Sequence, residues 1–356
     1  MKALHMIILG ISLALFQRSL WAALPRGQVV GWGHNISGQA TGVPSRETSF
    51  ATGRVTIAGQ LLDNAVAIAA GRSHGLAIRD NGAVAGWGGN SSAEAVGFET
   101  EYPYRTNGYV RIAGQVLSNV VSISAGCNFS LAVKGDGTVV AWGNGPGERI
   151  GSQAKVPVGL SNVVAVAAGF DYSMALKKDG TVLGWGARNV PHGLSNIVAI
   201  AAGREAYAPG LALKENGEVI EWTTSEESIP FTLRNIVAIA AGSNHGLALK
   251  SDGTVFGWGG NRFGQATGVP ATSYPNSAHG AVVIDGLPLT NVIAIAAGHE
   301  FSLALKRDGK VVAWGCNDFH TTDVPPGLSD VVAIAAGDDF CLAITTNRVV
   351  AEGFQQ

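Results

Sequence analysis

Four residues could form an acid–base or cation-binding group: His299, Glu300, Asp338 and Asp339. Neighbouring carboxylates can move protons or hold a hard cation when the fold brings them into one cavity. Both pairs follow an Ala-Ala-Gly run, so they occupy equivalent slots, and a solvated acidic patch is the simpler reading. A second candidate, Gly71-Arg72-Ser73-His74-Gly75, matches the Gly-x-Ser-x-Gly pattern of an activated serine. That chemistry needs a sharp strand-to-helix turn in an α/β sheet. Here strand-like runs lie on both sides, and the same slot elsewhere reads Gly242-Ser243-Asn244-His245-Gly246. No catalytic residue is therefore assigned, and the protein is read as a non-enzyme. Cys127, Cys316 and Cys341 cannot all pair within one chain and lack metal-type spacing, so they read as buried or turn-facing thiols. Without a phosphate loop or a zinc helix motif, no cofactor or metal is expected. Asn35, Asn90 and Asn128 each begin an Asn-x-Ser sequon.

The elements that must carry these residues are repeats. Asn235 to Gly259 shows the unit: Asn-Ile-Val-Ala-Ile-Ala-Ala-Gly, Ser-Asn-His, Gly-Leu-Ala-Leu-Lys, Ser-Asp-Gly, Thr-Val-Phe-Gly-Trp-Gly. Three short apolar runs separated by two turn signals make an antiparallel meander. Asp252-Gly253 reads as a type I′ hairpin, and the slot recurs as Asn81-Gly82, Asp136-Gly137, Asp179-Gly180, Asn216-Gly217 and Asp308-Gly309. The Ala-Gly run ends at Gly71, Gly126, Gly169, Gly203, Gly242, Gly298 and Gly337. Every tryptophan after Trp21 sits in the Trp-Gly slot: Trp32, Trp87, Trp142, Trp185, Trp222, Trp258 and Trp314. Such use of one large ring per unit points to packing.

Unequal spacing places insertions after Trp32, Trp87 and Trp258. Each insertion ends in an alternating run read as a fourth, outer strand: Arg54–Ile57, Tyr109–Ile112 and Ala281–Ile284. Short repeated meanders must stack to bury their faces, which gives a solenoid or a propeller. The chain opens on an orphan Trp-Gly strand and ends on a degenerate one, Arg348 to Gly353, with Glu352 in the tryptophan slot. The fold expected is all-β: a seven-bladed β-propeller closed by the N-terminal strand joining the last blade. The inner strand of each blade is left open.

The first residues differ. Lys2, an apolar run from Met6 to Phe16, and Ala22-Ala23 have the layout of a secretory signal peptide. The expected division is 1–23 signal peptide and 24–356 a single propeller domain, secreted or periplasmic, with no membrane attachment after cleavage. A formal net charge of −2 offers no electrostatic footprint for nucleic acid.

From about Gly27 to Gly353, the Asn-Val-Val-Ala-Ile-Ala-Ala-Gly, Leu-Ala-Leu-Lys, Asp-Gly and Val-Val-Ala-Trp-Gly runs resemble the regulator-of-chromosome-condensation repeat family, whose members are seven-bladed propellers. The leader, short repeats and orphan strand are most similar to the secreted bacterial members, which include a propeller-shaped β-lactamase inhibitor. An export signal and the lack of a basic tail set the chain apart from the members that serve Ran in the nucleus. In the inhibitor-like members the turns after Ala-Gly form the partner-binding mouth.

The meander points to the same face on its own. Turns after Ala-Gly and exits after Trp-Gly share one end of the sheets, and the Asp-Gly hairpins share the other. The hairpins are uniform and the turns are not. Aromatic, arginine and carboxylate residues on loops suit recognition. The partner-binding residues expected are Phe170, Asp171, Tyr172, Arg204, Glu205, Tyr207, Arg262, Phe263, His299, Glu300, Phe301, Asp338, Asp339 and Phe340. His74, Phe129, His245, Phe301 and Phe340 could equally pack at a strand start. The partner expected is another protein bound by a monomer. The alternatives are a cell-envelope or carbohydrate-active enzyme using the mouth carboxylates, and a structural repeat of a surface assembly.

Overall fold

The computed structural model describes residues 25–45, 47–98, 100–101, 105–143, 152–206, 208–222, 233–274 and 276–347. The expected signal peptide, Tyr207 and the run after Asn347 lie outside them. Among the described residues there are seven sheets of three or four antiparallel strands and three small two-stranded hairpins.

Six sheets are consecutive meanders, numbered here as repeats one to six. Their Ala-Gly strands are Ala65–Ala70, Val120–Ala125, Val163–Ala168, Ile197–Ala202, Ile236–Ala241 and Val292–Ala297. The seventh sheet is composite. Val331–Ala336 pairs with Phe340–Thr345, which pairs with the N-terminal strand Gln28–His34 from Gln28↔Thr345 to Gly33↔Phe340. The orphan strand thus supplies the Trp-Gly strand that the last sheet needs.

The Ala-Gly strand is the inner one. It lies at one edge of its sheet and packs on its counterpart in the next sheet, and that of the composite sheet packs on that of repeat one. Small side chains let these strands approach. Each also carries a register shift after its first residue, as between Val120 and Ser122, which adds local twist.

Among the described residues, apolar side chains form seven buried clusters, each bridging two neighbouring sheets. One joins Val29, Leu342 and Ile344 of the composite sheet to Ala77, Ala85 and Trp87 of repeat one. Another joins Phe301, Leu303 and Leu305 of repeat six to Val30, Trp32 and Ala343. The core therefore lies between sheets, because a single three-stranded sheet cannot bury both its faces.

The hairpins occur where expected, but the turn differs. Gly82 N–H donates to Arg79 O, and Arg79 N–H to Ala83 O. Only the glycine takes positive φ, 77° at Gly82 and 84° at Gly253. This is a type I turn followed by a glycine bulge, not type I′. The Asp or Asn side chain holds the turn by accepting the N–H two residues on, as in Asp179 Oδ1 to Thr181 at 3.0 Å.

The fourth strands also lie slightly upstream of the expected runs, at Phe50–Arg54, Arg105–Tyr109 and Ser277–Ala281. They pair with the Trp-Gly strands of the composite sheet, repeat one and repeat five. The predicted runs straddle a junction. Val55, Val110 and Val282 plug it, fully or almost fully buried, and the residues after them form the small hairpins.

Candidate functional site

The turn after each Ala-Gly glycine is built around the third turn residue. His74, Phe129, Tyr172, His245, Phe301 and Phe340 are buried. Their rings occupy the space of the missing glycine side chain: a Cβ on Gly169 would lie 2.4 Å from Tyr172, and one on Gly337 2.2 Å from Phe340. Tyr172, Phe301 and Phe340 are therefore core residues, which corrects their assignment as partner contacts. In repeat four the turn is longer and Ala208 fills the slot.

The buried histidines show how this layer is tied together. Ser130 Oγ donates to Glu94 O at 2.8 Å, so it accepts from His74 Nε2 at 2.9 Å. His245, Ser302 and Gln265 O repeat the arrangement at 2.8 Å each. Both rings thus carry the proton on Nε2, and both Nδ1 atoms lack a partner. Burial drives both pKa values down to about 3, aided by the charge of Arg204 on His74 and of His299 on His245. Because His74 faces Ser130 and not Ser73, the Gly-x-Ser-x-Gly match is a packing turn.

The exits after Trp-Gly are also structural at their centre. Asn261 Oδ1 accepts the N–H groups of Ala266 and Thr267, while its Nδ2 donates to Thr267 Oγ1 and Val269 O. Asn35 and Asn90 hold their loops in the same way, and all three are 1% exposed. They are clamps, not rim contacts, and the amides of the Asn35 and Asn90 sequons are buried. The clamped loops accept the next sheet's tryptophan: Trp87 Nε1 donates to Gln39 O at 2.9 Å, Trp142 to Glu94 O at 2.9 Å and Trp314 to Gln265 O at 3.0 Å. Replacing Asn261 by Ala unpairs several of these buried groups and should cost about 3 kcal/mol in urea denaturation.

Repeat four departs from the pattern through Arg188, which sequence reasoning did not select. It stands where Asn35, Asn90 and Asn261 stand, three residues after a Trp-Gly tryptophan. Its guanidinium donates to Ala206 O and Ala208 O, and to Glu205 O at 3.2 Å. It also lies 4.8 Å from the centre of the Tyr172 ring and 3.9 Å from Asp171. It shapes the longer turn that presents Arg204 and Glu205.

Around the mouth, backbone N–H groups link one turn to the next: Ser243 to Gly298 O, His299 to Asp338 O, Asp338 to Gly71 O, Arg72 to Gly126 O and Cys127 to Gly169 O. Arg204 comes from outside this arc and reaches the composite sheet. Its Nε lies 3.2 Å from Asp338 Oδ1, and its Nη2 donates to Ala336 O at 2.8 Å. Arg72 flanks the other carboxylate oxygen at 3.9 Å and donates to Cys127 Sγ at 3.5 Å. Asp338 is 6% exposed; burial raises its pKa and Arg204 opposes the shift. Asp338 and Arg204 are thus a strut across the mouth. His299 Nδ1 lies 3.8 Å from Asp339, which raises the imidazole pKa.

Phe170, Asp171, Glu205, Phe263, His299, Glu300 and Asp339 are half-buried, and Arg262 is exposed with its guanidinium 5.3 Å from the Phe263 ring. These side chains, with Arg204, make the surface of the mouth. Among the described residues no group of three or more His, Cys, Asp or Glu is placed to hold a metal, and all three cysteines are free. No helix of the described residues is long and apolar enough to cross a membrane.

Five segments match the model of the regulator of chromosome condensation (RCC1) repeat: 65–93, 120–146, 163–190, 236–265 and 292–320. They fall on repeats one, two, three, five and six; the unmatched repeat four is the one reshaped by Arg188. The fission yeast protein pim1 is 34% identical over 101 residues, 27% of this chain and 18% of its own length. The guanine nucleotide exchange factor SRM1 of Saccharomyces cerevisiae is 32% identical over 144 residues, 33% of this chain and 29% of its own. The chain thus spans less than a third of either relative. Prp20p of Saccharomyces cerevisiae, a structure described with its binding to Gsp1p and histones, superposes with a TM-score of 0.70 at 19% identity, covering 95% of this chain and 97% of that one. Human WBSCR16 gives 0.66 at 18% identity, covering 90% and 100%. At such identity these two likenesses speak to the fold. Five sheets of this all-β, propeller-like chain are thus repeats of the regulator of chromosome condensation (RCC1) family.

Proposed function

We propose that this is an exported, monomeric, non-catalytic propeller of seven blades, closed by its first strand, that binds another protein through the mouth. One observation carries the reading: the two ends of the sheets are unequal. The underside presents the same Asx-held hairpin six times. The mouth presents Phe170, Glu205, Arg262, Phe263, His299 and Glu300 from different sheets on one scaffold. Partly exposed aromatics beside paired charges suit a desolvated protein interface better than a small symmetric ligand. The carboxylates favour binding over hydrolysis, since Asp338 is committed to Arg204 and Asp339 faces His299.

Alanine at Phe170 and Phe263 with lysine at Glu300 should weaken partner capture by tenfold or more, at about 1.4 kcal/mol per decade, and leave the unfolding midpoint unchanged. Inhibition of a β-lactamase is the sharpest form of the proposal. A panel of these enzymes assayed with the purified protein tests it, and uniform lack of inhibition removes that form.

A further inference from the structure

Six seams on the underside are sealed by a hairpin. A Cβ built on Gly82, Gly137, Gly180, Gly217, Gly253 or Gly309 would lie 3.0 to 3.4 Å from backbone at the start of the next sheet's inner strand. Direct bonds reinforce five of these seams, such as Val120 N–H to Gly82 O at 3.1 Å. Among the described residues the seam between the composite sheet and repeat one has no such hairpin, because the paired strands there, Phe340–Thr345 and Gln28–His34, are not consecutive in the chain. Gly27 and Ala65 exchange N–H to O bonds of 3.1 Å there. Beside them a cavity of about 190 Å³ remains, lined by Arg26, Gln28, Asp63, Asn64, Asp80 and Thr346 among others.

The lining holds one buried acceptor without a donor. Gln28 is 8% exposed, and its buried Oε1 has no hydrogen-bond partner. A buried acceptor left unpaired is costly and marks a place where a partner is expected. Asp63 is exposed at the rim. Asp80 already accepts from Asn64 Nδ2 and from Arg26 Nη1, each at 3.1 Å. Asn64 Oδ1 in turn accepts from Arg79 Nε at 2.8 Å. With Arg26 already on Asp80, Asp63 is the carboxylate of the lining left to attract a cation.

We propose that this seam is a binding site for a compact organic cation with several N–H donors, of the guanidinium or primary ammonium class. Gln28 Oε1 accepts from it inside the cavity, and Asp63 pairs with its charge at the rim. Arg26 on Asp80 illustrates the chemistry that the lining accepts. The site lies where two strands that are not consecutive in the chain are paired, whereas the other six seams have a glycine turn.

The test is a titration of the isotopically labelled full chain with methylguanidinium chloride, followed by NMR at the Gln28 side-chain amide and the Gly27 and Ala65 amides. Sodium chloride at matched ionic strength and methylurea, a neutral analogue of closely similar shape, together with urea, are the controls. Saturable shifts with methylguanidinium, weakened tenfold or more by Asp63→Asn and also by Gln28→Met, are the expected result. Shifts that do not saturate, that methylurea or urea reproduces, or that survive both substitutions would overturn the proposal. The mouth variants should leave this titration unchanged, so its outcome is independent of partner capture.

Discussion

Replacing Arg204 by alanine should cost about 3 kcal/mol at neutral pH, the scale expected when a buried charge loses its partner. The loss comes from Asp338, a carboxylate 6% exposed whose near ion partner is supplied by a turn three sheets away. Arg72, at 3.9 Å and more exposed, is a poor substitute. Burial already raises the Asp338 pKa, and Arg204 opposes that shift. Without Arg204 the carboxyl holds its proton to higher pH. The penalty of the variant relative to the native chain should therefore shrink as pH falls, because a neutral Asp338 needs no counter-charge. Arg204→Met with Asp338→Leu removes both charges and should cost much less than Arg204→Ala alone. Urea denaturation of the three proteins near pH 7 and pH 5 checks all of this. A penalty independent of pH, or a double variant as unstable as the single one, would mean that the strut is incidental.

The second large effect concerns His74 and His245. Both are fully buried with pKa values lowered to about 3, against 6.5 in a solvated chain. The unfolded state thus binds more protons, and stability rises with pH through this range. It is fully present above about 6.5 and is lost as pH falls toward 3. Each histidine contributes a slope of about 1.4 kcal/mol per pH unit over that interval. Phenylalanine occupies the same slot as Phe129, Phe301 and Phe340, so His74→Phe with His245→Phe should fold. Between about pH 6 and pH 5, where most carboxylates stay ionised, the double variant should lose markedly less stability than the native chain. Equal slopes would show that these rings are not held neutral.

Much of this architecture is legible in the residues because it is written several times. Seven Ala-Gly runs, a tryptophan in one slot and six Asx-Gly turns specify the sheets and their order. Misreadings occur where one local signal fits two geometries. Asp-Gly suits both a type I′ turn and a type I turn with a bulge, and the arginine or lysine carbonyl that closes Arg79–Gly82 or Lys250–Gly253 decides between them. Tyr172, Phe301 and Phe340 look like turn residues on a surface. The clue to their burial is the glycine three positions earlier, which makes room for the ring. Asn35, Asn90 and Asn261 resemble a polar rim, yet each is followed five residues later by alanine and seven later by glycine. That shared spacing belongs to a clamped loop. Arg188 would have stood out on aligning those asparagines, since it is the long cation in a clamp slot. The strut from Arg204 to Asp338 joins residues 134 apart, and no local pattern encodes it.

Whether the diversified end of the sheets does the recognising can be measured with two matched variants. One carries Phe170→Ala, Phe263→Ala and Glu300→Lys at the mouth. The other carries Asp136→Ala, Asp179→Ala and Asp252→Ala in the underside hairpins. Each is immobilised beside the native chain, with folding verified by near-ultraviolet circular dichroism, and capture of the same protein partner is quantified. Capture lost by the mouth variant and retained by the underside variant is the predicted result. Capture retained by the mouth variant and lost by the underside variant would contradict the account.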